Sequence, residues 1–366
     1  MTLAFLGLSP DERRLYIDEA AARRGLSPVI LEKDFWVCWL LGVVFESSFR
    51  DAIVFKGGTS LSKVFGVINR FSEDIDLSLA PAFLGLDEPA ASITLSKGQA
   101  SKWMQRAEAA CTVVVRDKLA PEIAAAIGAR LGEDDGPWLT FEVDASSHSP
   151  VLLFHYPTTQ PPALEYLKRS VKLEFGSLTD QRPTGSHAVR PWIADVLPDA
   201  FADWHCHVVA LDLHRAFWEK ATILHAEHHR PADKPTPDRF ARHYSDTAAL
   251  ALHADAAGAI ARSDLRDHVV RWKSRFFGSA WARYDLALPP TFKLLPPPER
   301  EEVLRRDYRA MRDMYLSERQ PFERILSTLA DVERRINESL GESDDSGAAS
   351  RQGSGVLGGR KRKGRG

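Results

Sequence analysis

Val54-Phe-Lys-Gly-Gly-Thr-Ser-Leu-Ser-Lys63, followed by Arg70-Phe-Ser-Glu-Asp-Ile-Asp-Leu77, is the stretch whose reading decides the fold. Ala52 to Phe55 is a short apolar run that Gly57-Gly58 stops, which predicts a strand entering a tight turn. Thr59 to Val67 then suits a short helix. Asp74 to Leu79 alternates acid or hydroxyl with aliphatic, so it reads as a half-buried strand with Asp74 and Asp76 on one face and Ile75, Leu77 and Leu79 on the other. Two glycines after a strand let the backbone approach a phosphate. A helix beginning at Thr59 or Ser60 would aim its amide groups at that anion, with Lys63 one turn in. Two carboxylates two residues apart on a strand suit one or two Mg²⁺ (or Mn²⁺) ions, which favour carboxylates plus substrate phosphates over an all-protein cage. The natural reaction for such an arrangement would be nucleotidyl transfer from an NTP.

Upstream, Ser9-Pro10-Asp11-Glu12 carries a capping box and starts a helix to about Arg24, and Ser27-Pro28 starts a second, largely buried one. Downstream, Ser96 to about Ile127 is Ala-rich and helical. Trp138–Val143, Val151–Tyr156 and Ser170–Phe175 read as strands, and from Leu211 onward the chain is helical at about 212–228, 238–254, 262–276 and 298–339. The expected organisation is α+β: a mixed sheet flanked by helices over 1–205, a helical lobe over 206–340, and a disordered basic tail over 341–366. In Val-Lys172-Leu-Glu174-Phe, Glu174 is a candidate third carboxylate for the metal, against an ordinary Lys/Glu stripe on a solvent face.

The apolar fraction of 44%, with nine Trp and eighteen Phe, supports packed cores. Three widely separated cysteines argue against a disulfide framework and for a reducing cytoplasm. No basic leader precedes an apolar run and no apolar stretch is long enough to span a bilayer, so neither secretion nor a membrane is expected. The net charge of −2 conceals an asymmetry, because residues 351–366 hold six Arg/Lys and no acid. Residues 1–350 are thus left with 42 basic against 50 acidic side chains, so any RNA must be met by a local basic groove.

Asp-x-Asp after a Gly-Gly turn resembles the polymerase-beta-like nucleotidyltransferase superfamily. The fuller string, Lys56-Gly-Gly-Thr-Ser-Leu-Ser-Lys63 with Arg70-x-Ser-x-Asp-Ile-Asp-Leu77, resembles its AbiEii/AbiGii branch of toxins from type IV toxin–antitoxin and abortive-infection systems. Glu32-Lys33-Asp34-Phe35 is similar to that branch's N-terminal signature. Leu211-Asp-Leu-x-Arg-x-Phe-x-Glu-Lys220 and Arg242-His-Tyr-Ser-Asp246 are similar to its later motifs. The resemblance implies a polymerase-beta-like fold and site roles for Lys220 and Asp246. It also implies transfer to an RNA acceptor, the tRNA 3′ end, and a cognate antitoxin. Ser72, two residues before Asp74, is a candidate regulatory site, since a phosphate there would repel nucleotide and compete for metal. Alternatives are nucleotidylation of a small molecule or protein, and a noncatalytic nucleotide- or RNA-binding module. A rival metal site, zinc on His225, His228 and His229, has helical i, i+3, i+4 spacing but no cysteine cluster beside it.

Overall fold

The computed structural model describes residues 4–87, 95–132, 136–145, 147–161, 168–178, 180–202 and 204–339, so the tail expected to be disordered lies outside the described residues. The strands are β1 (Ile53–Lys56), β2 (Asp74–Leu79), β3 (Leu139–Val143), β4 (Pro150–Phe154), β5 (Val171–Gly176), β6 (Thr184–Val189) and β7 (Cys206–Leu211). The helices are α1 (Pro10–Arg24), α2 (Pro28–Phe45), α3 (Gly57–Lys63), α4 (Lys97–Val114), α5 (Ala120–Leu131), α6 (Ile193–Val196), α7 (Leu213–His228), α8 (Ala241–Leu252), α9 (Ser263–Phe276), α10 (Pro298–Ala310) and α11 (Phe322–Glu338). The strands form one seven-stranded mixed sheet in the order β3-β4-β5-β2-β1-β7-β6. β1 and β2 are antiparallel neighbours, while β2–β5 and β1–β7 run parallel. The architecture is α+β.

Alternation on β2 decides which way each side chain goes. Ile75, Leu77 and Leu79 are fully buried in an apolar cluster with α2, α4, α5 and the inward residues of β1, β4, β5 and β7, leaving Asp74 and Asp76 for the opposite face. A second cluster gathers α7 to α11 and takes Leu61 of α3 and Ile68 after it, so the glycine-turn helix is held between sheet and lobe. The sheet continues past residue 205, since β7 pairs with β1 and β6, and Leu213 is the first residue after it to join the second cluster.

Three expectations shift. The helix after the turn starts at Gly57 itself rather than at Thr59 or Ser60. β6 was not anticipated, because Thr184-Gly-Ser-His-Ala-Val has no apolar period; it forms by pairing with β7 at the sheet edge. The helix expected over 298–339 is two helices. Between them Met314 and Leu316 spend their backbone groups on the chain leading to β2: Phe71 N–H donates to the Met314 carbonyl at 2.7 Å, and Leu316 N–H to the Asn69 carbonyl at 3.3 Å. Among the described residues no helix is long and apolar enough to cross a membrane.

Candidate active site

Sheet register brings the charged side chains of three strands together. Lys56 of β1 stands opposite Asp76, which stands opposite Glu174 of β5, and Asp74 stands opposite Lys172. These residues line a cleft of about 430 Å³, walled on its other side by Glu219 and Lys220 of α7 and Arg242 and His243 of α8, with Gly57, Gly58, Arg70 and Ser72 completing it. The volume is that of a small-ligand site.

Gly57 has φ +78°, and a Cβ there would lie 2.7 Å from Asp76 Cγ. A Cβ on Gly58 would lie 2.7 Å from Ser72 Oγ. Both glycines thus admit an acidic or hydroxyl side chain against the backbone, a requirement the expected role in cradling phosphate had not included. Thr59 and Ser60 are buried rather than cleft-lining. Thr59 donates its hydroxyl to the Asp74 carbonyl, tying α3 to β2. Lys63 is the clearest correction. Six residues beyond Gly57, it points away from the cleft into a buried ion pair with Asp34 at 2.6 Å, its ammonium 4.3 Å from the Trp192 ring centroid.

Burial and mutual proximity raise Asp74 to about 6, with Glu73 adding to the effect. Burial likewise raises Asp76, against Lys56, Arg242 and Lys220. Two crowded, desolvated carboxylates of this kind call for a cation. The donor chemistry and the open side of the Gly57 turn fit a divalent metal held by two oxygens plus substrate phosphates. Glu174 does not complete a three-carboxylate cage. Lys172 donates to it at 2.7 Å and to Asp144 at 3.3 Å, and among the described residues no three His, Cys, Asp or Glu groups converge as metal ligands.

On the lobe side, Asp246 is the hub. Arg70 grips it through Nε–Oδ1 at 2.9 Å and Nη2–Oδ2 at 2.8 Å, and Lys220 donates to Oδ2 at 2.7 Å. Burial alone would raise Asp246; Arg70 and Lys220 outweigh it and hold the carboxyl well below the usual carboxylate range. Lys220, 12% exposed, is thereby fixed at the cleft wall, its own ammonium pushed down by burial against the pull of Asp246. Glu219, beside it, is held at about 2 because Lys273 and Arg215 outweigh its burial. His243 is kept neutral by burial and by Lys220 and Arg242. Residue-level reading had not singled out Lys56, Arg70, Arg242 or His243. All four lie inside the quoted motif strings, and that was the available signal.

The rival zinc reading fails on hydrogen bonding. His225 is buried, its Nδ1 accepting from Lys293 N–H at 3.0 Å and its Nε2 donating to the Arg283 carbonyl at 3.0 Å, while His228 Nδ1 contacts the Leu295 carbonyl at 2.8 Å. Burial lowers His225 to about 4, so it is a neutral packing residue.

Comparison with known proteins gives a family match over residues 39–328, to the family described as "Nucleotidyl transferase AbiEii toxin, Type IV TA system". Among solved structures, "MenT4, nucleotidyltransferase toxin Rv2826c from Mycobacterium tuberculosis H37Rv" is similar at 16% identity and a TM-score of 0.42, covering 90% of this chain and 98% of that one. No curated protein matches.

Proposed function

The chain belongs to the AbiEii nucleotidyltransferase toxin family of type IV toxin–antitoxin systems, and from this premise we propose that it transfers a nucleotide from an NTP to the 3′ end of a tRNA in the cytoplasm, arresting growth. The observation that supports the reading best is the gathering in one cleft of two part-buried carboxylates with raised proton affinity, Asp74 and Asp76, and the cations Lys56, Lys220 and Arg242. An NTP has the complementary charge distribution. Its triphosphate suits the cations, and its metal-binding oxygens suit the aspartates.

Asp74 and Asp76 would hold Mg²⁺ or Mn²⁺, which when bound supplies charge neutralisation at the triphosphate. The acceptor hydroxyl gives up its proton to solvent, its oxygen attacks the α-phosphorus to form the new P–O bond, and the bond to pyrophosphate breaks. Lys220, held by Asp246, and Arg242 offset the charge that accumulates on the departing pyrophosphate. Lys56, opposite Asp76, steadies the acid pair before substrate arrives. A phosphate on Ser72, at the cleft wall, would add negative charge beside Asp74 and exclude nucleotide. A cognate antitoxin partner follows from the kind of system.

The test is to incubate purified protein with Mg²⁺, total RNA and each labelled NTP in turn, and to resolve the products on a gel. Label entering a tRNA-sized band, absent with Asp74→Asn, is the expected result. Label entering protein or a small molecule would keep the transfer chemistry and reject the tRNA acceptor.

A further inference from the structure

α2 is buried on every side from Ile30 to Phe45, and within those sixteen residues only Glu32, Lys33 and Asp34 carry charge. All three are about 1% exposed, and none lines the cleft. Each reaches a different segment. Glu32 accepts from Thr158 Oγ1 at 2.5 Å, Thr159 N–H at 2.6 Å and Thr159 Oγ1 at 2.7 Å, in the chain that leaves β4 on the way to β5. Lys33 donates to the carboxylate of Glu73, the residue immediately before Asp74, and to the Lys168 carbonyl at 2.8 Å, just ahead of β5. Asp34 pairs with Lys63, the last residue of α3, and accepts from Trp192 N–H at 2.6 Å.

Burying charge in an apolar helix is a poor way to gain stability. The desolvation cost of a buried pair rivals its Coulombic gain, and apolar side chains of similar volume often serve as well or better. What ion pairs supply and apolar contacts do not is a fixed distance and direction. Here the ties end at the entrance to β2, where Asp74 begins; at the far end of α3, whose first residue lies against Asp76; and on both sides of the β4–β5 connection. We propose that Glu32, Lys33 and Asp34 are positioning residues. As a bracket on one rigid helix, they set the spacing between the glycine turn, the Asp74/Asp76 pair and β5, and so set how well the two aspartates take up a divalent cation.

The proposal rests on the reading of Asp74 and Asp76 as the cation-holding pair, and its test uses Mn²⁺ binding to the full chain, followed by electron paramagnetic resonance without nucleotide. Asp76→Asn is the control for the site. The double variant Lys33→Met/Glu73→Met replaces one tie with apolar groups of similar length. It is expected to keep the wild-type urea midpoint while binding Mn²⁺ at least tenfold more weakly. Asp34→Asn retains an acceptor for Trp192 but loses the charge facing Lys63, and is expected to weaken Mn²⁺ about threefold; it carries the test if the double variant does not fold. Leu40→Ala, a core substitution further along α2 that removes none of these ties, should lower the midpoint and leave Mn²⁺ affinity alone. If Asp76→Asn loses Mn²⁺ while the bracket variants bind as wild type does, the bracket is refuted and the site stands. If Asp76→Asn binds normally, both are overturned.

Discussion

The sheet side of the cleft presents two part-buried aspartates and the lobe side a fully buried one, and the two environments push them in opposite directions. Asp74 and Asp76, part-buried on the cleft face, hold protons more tightly than a free carboxylate, Asp74 to about 6 by desolvation and the nearness of Asp76 and Glu73, Asp76 by desolvation and Glu174. Asp246, more deeply buried, is gripped by Arg70 and Lys220 and held well below the ordinary range. The residue type is the same; the number of cations already in contact differs. On the sheet side Asp74 faces like charge from Asp76 and Glu73, and on the lobe side Arg70 and Lys220 meet Asp246 directly, which holds Lys220 at the cleft wall.

This contrast breaks most visibly at Asp246. Asp246→Ala leaves Arg70 and Lys220 buried without their counter-charge, and the expected cost is about 3–5 kcal/mol of folding stability, measured by urea unfolding, with transfer lost as well. The sheet side should do the reverse. Asp74→Asn and Asp76→Asn are each expected to lower turnover a hundredfold or more, roughly 3 kcal/mol or above in barrier height, without loss of folding. Equal destabilisation on the two sides would erase the distinction.

The pH dependence sharpens it further. Asp74 has a folded-state value near 6 against 3.8 for the unfolded group, so the folded metal-free protein binds the extra proton. Its stability should fall as pH rises from about 4 to about 6, by on the order of 1–3 kcal/mol. Asp74→Asn should remove that slope in urea titrations with EDTA. Asp246, shifted the other way, contributes stability that is fully present above the unfolded value near 4 and is lost only as pH falls well below it.

The smallest expected effect is at Glu174, which Lys172 already neutralises. Glu174→Gln should lower turnover by less than about tenfold, about 1.4 kcal/mol or less. A loss matching that of Asp76→Asn would make Glu174 a third metal carboxylate after all.

What could be read from the chain was whatever has a local period or a local turn. The two-residue alternation of β2 put Asp74 and Asp76 on one face without any knowledge of the sheet, because strand geometry alone requires it. The glycine pair marked the turn, and the resemblance of two later strings, Leu211 to Lys220 and Arg242 to Asp246, to family motifs suggested Lys220 and Asp246. Lys63 shows the limit of that kind of reading: its place in the string suggested phosphate, but which face of α3 meets the cleft depends on Leu61 entering the lobe's apolar cluster and on Asp34 waiting behind. The Arg70–Asp246 clamp joins residues 176 positions apart, and Lys33–Glu73 joins residues 40 apart. No periodicity encodes such pairs. The sequence by itself determined the strand–turn–helix–strand unit and the face its acids share; only tertiary packing decided which cations those acids meet, because charge pairing across the fold is set by where distant backbones are brought together.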